Sequence, residues 1–332
     1  MSIHLPGRVG FGTAPLGNMY RAIPEQEALA TVHAAWDQGI RYFDVAPLYG
    51  AGLAERRLGE ALQHYPRDAY VLSTKVGRRL LDETEDAASR DLGEKGGLFE
   101  HGLPNKIVYD YSADGTLRAI EESLKRLKTD RLDIVWIHDP AKDFHGENWR
   151  AVFHQAMSGA ATALTRLREE GVIKGWGLGV NRVEPCVMAL QQADPDGFVL
   201  AGRYTLLDHD EALASLMAAA EARGARIVVG GPYNSGILAG GAHYEYQKAG
   251  TDVLHRVGRL QQVGAQFGVD IRAAALQFPL AHPAVAGVIP GASQPGRIAE
   301  NLALAKVAIP PAFWSALREH GLVSPHAPLP TD

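Results

Sequence analysis

The chain has 332 residues, a formal net charge of −5 and an apolar fraction of 46%, which is ordinary for a soluble globular protein and lacks the positive charge that nucleic-acid binding draws on. Its only cysteine, Cys186, excludes an intramolecular disulfide and a cysteine-built zinc site, and reads as a small buried residue rather than a nucleophile. No uninterrupted apolar run reaches the roughly 20 residues that span a bilayer, and residues 1–8 carry no charged segment followed by an apolar core, so a cytoplasmic location without membrane or nucleic-acid partners is expected.

Taken in chain order, apolar β-favouring runs recur near residues 9–16, 42–46, 70–76, 133–139, 173–180, 198–204, 226–232 and 285–290. Helical patterns separate them. The first carries Leu29, Val32, Trp36 and Ile40 at spacings of three or four, and a later one Leu117, Ile120, Leu124 and Leu127, each read as one apolar stripe facing a core. Leu58 and Leu62 share a side of the helix between them, and Gly171 and Gly224 fall where a helix must stop before a strand. Eight strands alternating with helices predict an α/β fold of the (β/α)8 TIM-barrel type, with residues 1–332 as one domain.

Two segments break the alternation. Residues 77–111 hold Gly93, Gly96, Gly97 and Gly102 among many charges, and a long loop insertion after a barrel strand lies over the mouth, where such loops close on substrates. The second is Gly230-Gly231-Pro232-Tyr233-Asn234-Ser235-Gly236, a glycine-rich turn able to bring backbone N–H groups close to a phosphate.

Three strands end on ionisable residues. Asp44 closes the second run, with Tyr49 five positions on; Lys75 closes the third, and His138 the fourth. Barrel enzymes place catalytic groups at strand C-termini, so these four should meet at one rim. A free phenol titrates near 10, too high for an efficient base; a neighbouring ammonium lowers that value. Lys75 can supply the ammonium, Asp44 can orient it, and His138 can hydrogen-bond a substrate oxygen. Acid–base chemistry on a carbonyl or alcohol follows, with Tyr49 as proton shuttle. Trp136, one pleat from His138, is read as core.

Asp44, Tyr49, Lys75 and His138 in this order resemble the catalytic set of the aldo-keto reductases. The likeness extends through Gly10-Phe11-Gly12-Thr13, Gly171-Val172-Ile173-Lys174 and Val288-Ile289-Pro290-Gly291-Ala292-Ser293. Within that family, His138-Asp139-Pro140, the run 200–208 and Asn234-Ser235-Gly236-Ile237-Leu238 resemble the aldose dehydrogenase branch of L-fucose, D-threo-aldose and L-galactose dehydrogenases, with pyridoxal 4-dehydrogenase close by. The resemblance implies NAD or NADP as cofactor. It places the pyrophosphate at Tyr233, Asn234, Ser235, Gly236 and Leu238, and the adenosine end at Ser293, Arg297, Glu300 and Asn301. Asn181 takes the carboxamide.

Departures from the family are informative. Gly291 stands where NADP-preferring relatives often carry lysine, which favours NAD, although Arg297 remains. Ala201 and Gly230 replace a usual glutamine and a stacking tyrosine, leaving Tyr204 or Tyr233 to offer a ring. No metal is expected, since the 13 histidines are scattered.

The function implied is oxidation of an aldose of the L-fucose, L-galactose or D-arabinose type at C1 to the lactone. Specificity is expected from the lid and from loops near Tyr20, Trp176 and Arg182. Pyridoxal oxidation, small-aldehyde reduction and a nucleotide-binding regulatory protein are the alternatives.

Overall fold

In the computed structural model, which describes residues 3–90, 92 and 97–331, each of the eight predicted runs contributes a strand. The strands, in chain order, are β1 (Phe11–Gly12), β2 (Tyr42–Asp44), β3 (Val71–Thr84), β4 (Asn105–Asp110), β5 (Ile134–His138), β6 (Gly175–Val180), β7 (Gly197–Ala201), β8 (Arg226–Gly230), β9 (His243–Tyr244), β10 (Gln247–Lys248) and β11 (Val285–Ile289). Parallel pairing runs β1-β2-β3-β5-β6-β7-β8-β11. Bridges Val9↔Val288 and Gly12↔Gly291 return the last strand to the first. The result is a nearly closed eight-stranded parallel barrel with helices between its strands, as expected from the alternation.

The two-residue period of a strand sorts side chains between two layers. Tyr42, Ile134, Trp136, Val199, Val228 and Ile289 form one buried cluster, the filling of the barrel. Their neighbours Phe43, Val135, Ile137, Trp176, Leu178 and Phe198 belong to the larger cluster under the helices. Strand β6 reads Gly-Trp-Gly-Leu-Gly-Val, and its glycines make room for the interior. A Cβ at Gly177 would lie 1.7 Å from the Gly197 carbonyl oxygen and 3.2 Å from the Trp136 ring, and one at Gly179 would lie 3.2 Å from Lys75 Cε. Trp136 is fully buried, as predicted.

Several expectations are corrected. Of the first run only Phe11–Gly12 is strand, because Ala14–Gly17 turns into a 3-10 helix around Pro15, which has no N–H to give a ladder. The helix Ala113–Leu127 buries the predicted stripe in part: Leu127 is buried and Ile120 and Leu124 pack against the core, but Leu117 is 41% exposed, and Gly115, Thr116, Ala119 and Ser123 also face inward. Close packing accounts for this, since a Cβ on Gly59 of the neighbouring helix would sit 2.6 Å from Leu127 Cα. Such an approach favours small residues on that face.

Among the described residues of 77–111, two strands form a ribbon. Strand β3 runs on past the barrel and pairs antiparallel with β4, with Gly77 opposite Asp110 and Leu80 opposite Ile107. Beyond this ribbon, Leu92, Leu98 and Phe99 pack on Ala46 and Leu48 above the barrel. Gly93 and Gly96 lie outside the described residues. Among the described residues no helix is long and apolar enough to cross a membrane.

Candidate active site

Strand register explains how the ionisable residues meet. Asp44 follows Tyr42 by one pleat, Lys75 follows Ser73, and His138 follows Trp136, so each continues the interior-facing column of its strand at the upper rim. Tyr42 OH lies 3.0 Å from Ser73 Oγ, which donates to Asp44 Oδ1 at 2.6 Å. Lys75 Nζ donates to Asp44 Oδ2 at 2.6 Å and to the Val45 carbonyl oxygen at 3.0 Å. Tyr49 sits in the turn after β2, where its N–H donates to the Ala46 carbonyl. Its ring lies 4.7 Å from Lys75 Nζ and 5.9 Å, edge to face, from the His138 ring. All four predicted residues converge.

Burial decides the charge states. It pushes the Tyr49 phenol upward, and the opposing pull of Lys75 does not overcome it, so the expected lowering by the ammonium is present but outweighed. Burial alone would lower Lys75, yet Asp44 and Tyr49 hold it above the ordinary lysine range. His138 falls well below its usual value through burial, with Arg78 and Lys75 adding to the effect. The site thus presents a neutral phenol and a neutral imidazole over a charged Lys75–Asp44 pair.

Beside His138 lies a second ion pair absent from the sequence reading. Asp139 Oδ2 is 3.3 Å from His138 Nε2 and 3.0 Å from Arg78 Nη1. Burial, against the pull of Arg78, raises Asp139 to about 7. The only sequence signal was its place directly after His138.

Tyr49, Lys75, His138 and Asp139 form the floor of a cavity walled by Leu48, Leu98, Phe99 and Phe144. This cavity opens into a groove of about 500 Å³, a size typical of small-molecule sites. Asn181, Tyr233, Asn234, Ser235, Gly236, Ser293 and Arg297 line the groove, together with Ala201, Gly230 and Gly291. Three other predicted residues stand behind it. Leu238 is in the core, Asn301 accepts from Tyr233 OH at 2.8 Å, and Glu300 is held by Arg297 at 2.6 Å and by Arg272. Tyr204 is buried in the core and offers the groove no ring. Trp176 is likewise turned toward the helices, since it occupies the outward position between Gly175 and Gly177.

Sequence reasoning missed Arg21, which reaches Ser293 Oγ at 3.1 Å, and the hairpin of β9 and β10. At the hairpin tip, Tyr246 donates from N–H to Ser235 Oγ at 2.9 Å and from its hydroxyl to Asn181 Oδ1 at 3.3 Å, crossing the groove. Tyr20, on the facing loop, stacks on His243 at 4.9 Å. Neither contact leaves a periodic signal.

The Aldo/keto reductase family model matches residues 8–321. The chain belongs to that family. It is therefore an oxidoreductase of small molecules that works with a nicotinamide dinucleotide. The chain is 39% identical over 327 residues to pyridoxal 4-dehydrogenase of Microbacterium luteolum, covering 95% of this chain and 94% of that one. It is 37% identical over 325 residues to D-threo-aldose 1-dehydrogenase of a Pseudomonas species, with the same coverage. The holo form of an aldo-keto reductase from Bacillus halodurans shares the fold at a TM-score of 0.71 and 24% identity, covering 96% of this chain and 95% of that one.

The groove suits such a dinucleotide. Gly231, Asn234, Ser235 and Gly236 all take positive φ, which turns the backbone into a concave cradle, and a Cβ at Gly236 would meet nothing within 4 Å. Asn234 Oδ1 and Asn301 Nδ2 are buried with no hydrogen-bond partner among the described residues. Orphaned polar atoms of this kind call for a ligand or water.

Proposed function

We propose that this enzyme oxidises the hydroxyl of a cyclic hemiacetal, giving the lactone, with Tyr49 moving the proton. The observation that carries the reading is the cavity in which Tyr49, Lys75 and His138 lie together beside Leu48, Leu98, Phe99 and Phe144. A closed aldose and pyridoxal closed through its own hydroxymethyl group present the same reacting carbon, bearing one hydroxyl and one hydrogen. A bound dinucleotide would supply the hydride acceptor for that carbon. Tyr49 takes the hydroxyl proton, Lys75 stabilises the phenolate that must form to accept it, and Asp44 holds Lys75 in place. Neutral His138 hydrogen-bonds the same oxygen. Preorganised groups in a water-poor site are worth several kcal/mol of barrier.

The apolar, aromatic wall favours a flat ring, and pyridoxal is the substrate this geometry fits best. An aldose is the second reading, supported by the second relative; most of its ring hydroxyls would face the apolar side chains Leu48, Leu98, Phe99 and Phe144. For the cofactor, Asn181 would hold the carboxamide, the Tyr233–Gly236 turn the pyrophosphate, and Ser293 the adenosine ribose. Arg297 is tied to Glu300 and Gly291 supplies no cation, which supports NAD over NADP.

The test is absorbance at the reduced-nicotinamide band with NAD or NADP and a panel of pyridoxal, L-fucose, L-galactose and D-arabinose. Oxidation of pyridoxal ahead of the sugars is expected. Silence across the panel with nucleotide still bound would overturn the reading in favour of a regulatory nucleotide-binding role.

A further inference from the structure

Resting on that reading, we infer that Asp139, held by Arg78, is a specificity-determining residue that selects substrates bearing a second hydroxyl one or two carbons from the reacting carbon. Asp139 is the one carboxylate of the cavity floor not committed to Lys75. It directly follows β5 at φ 51, a left-handed conformation that strains a residue other than glycine. Its N–H donates to the Gly179 carbonyl and its own carbonyl accepts from Ala141 N–H, so the chain is tied on both sides of the strained residue. The turn brings the carboxylate back against the imidazole of the residue before it, at 3.3 Å from Nε2.

Arg78 draws the Asp139 carboxyl toward its ionised form, against the effect of burial. Its guanidinium is 1% exposed, pairs with Asp139 Oδ2 at 3.0 Å, and lies against the rings of Phe144 at 4.6 Å and Tyr109 at 5.1 Å. A buried charge persists only when paired, and this pair puts an acceptor beside the apolar side chains Leu48, Leu98, Phe99 and Phe144. The Tyr49–Lys75 chemistry makes no use of it.

Position assigns the group it recognises. With the reacting oxygen on His138, the nearest polar feature of the floor is the adjacent carboxylate. Two oxygens on neighbouring carbons are close enough for one to meet His138 and the other Asp139. The 2-hydroxyl of an aldose stands on such a neighbouring carbon, and the 3-hydroxyl of pyridoxal, one ring carbon further on, also projects beside the reacting oxygen, so one carboxylate serves either substrate. Hydrogen bonds to a charged group are the strong ones, and a site built for a hydroxyl rejects the analogue without it.

The experiment compares pyridoxal with 3-deoxypyridoxal, and L-fucose with its 2-deoxy analogue, in the native enzyme, Asp139→Asn and the double variant Arg78→Met/Asp139→Asn. The double variant removes both buried charges and stands in if the single one does not fold. The ratio of kcat/KM within each pair is the main readout, with the ratio of Kd from isothermal titration of the nucleotide-loaded protein beside it. The native enzyme should prefer the hydroxylated member by about tenfold or more, and the variants should bring the ratio to within about threefold. A merely structural role would lower both members equally and leave the ratio unchanged, which overturns the inference. If none of the four is oxidised, the hemiacetal reading falls; a Kd ratio that still collapses on substitution upholds the selection, and a Kd ratio near one in the native protein overturns it.

Discussion

Replacing Asp44 by Asn keeps the shape of the side chain and removes the charge beside Lys75. Both groups are 2% exposed and their atoms are 2.6 Å apart, so salt screens them little. Removing one partner of a buried pair leaves the other charge without compensation and costs about 3–5 kcal/mol. The new amide oxygen still accepts from Ser73, and Lys75 keeps the Val45 carbonyl, which places Asp44→Asn near the lower end, at about 3 kcal/mol. Asp44→Ala also strands the buried Ser73 hydroxyl and should cost about 1–3 kcal/mol more. The readout is the urea midpoint at constant m, followed by tryptophan fluorescence. Because Lys75 is raised in the folded state, its contribution is fully present below the ordinary lysine value of about 10.4 and is lost only as pH rises beyond it. The penalty should therefore be flat across roughly pH 6 to 9. In Asp44→Asn/Lys75→Met both charges are gone, and most of the stability should return. A loss below about 1 kcal/mol, or a double variant no better than the single ones, would refute the argument that this pair is buried and coupled.

Tyr49→Phe should abolish turnover while nucleotide affinity changes little; unchanged activity would end its assignment as proton shuttle. Since burial raises the Tyr49 phenol, the base form exists only above its pKa, so oxidation should accelerate as pH rises through the alkaline range and the reverse reduction should not; a pH-independent oxidation rate would contradict this. Gly291→Lys should tighten NADP binding by roughly tenfold relative to NAD. The new Cβ would lie 3.0 and 3.2 Å from the Pro15 ring and 3.5 Å from the Gly12 carbonyl oxygen, close but tolerable contacts, so circular dichroism should show the fold retained. Gly179→Ala should lower kcat at nearly native stability, because its methyl would press on Lys75 Cε and Cδ at 3.2 and 3.4 Å; full activity would show that Lys75 tolerates displacement.

The barrel was legible because its strands are buried on both faces and therefore read as short apolar runs, and the four ionisable residues were legible because each ends such a run. Strand register then makes their convergence unavoidable. What escaped reading has a common cause. The ribbon of β3 and β4 is half-exposed and charged, so its period is hidden, and Arg79–Glu122 and Arg90–Glu85 pairs look in sequence like loop polarity. Tyr246 reaches Asn181 from a hairpin of two-residue strands, too short for any pattern. Leu117 was misplaced because the helix face that packs closely carries Thr116, Ala119 and Ser123, and packing distance is not written in hydrophobicity.

The electrostatic state of the floor also bears on direction. A neutral phenol, poised as a proton donor, suits reduction of a carbonyl as it stands, whereas oxidation needs that phenol to release its proton first. Lys75 is the group that favours the release, with its ammonium 4.7 Å from the Tyr49 ring. Asp44 works against it, since a carboxylate at the same site raises the phenol. Asp44 therefore anchors Lys75 at some expense to basicity, and the balance between the two sets how far into the alkaline range oxidation must go. On this argument Asp44→Asn, measured for turnover in the fraction that remains folded, should shift the alkaline rise of the oxidation profile downward in pH even as it lowers kcat through a less firmly held Lys75. A profile that moves upward instead would mean that Asp44 acts on Tyr49 mainly by keeping Lys75 charged, and would reverse the order of the two effects.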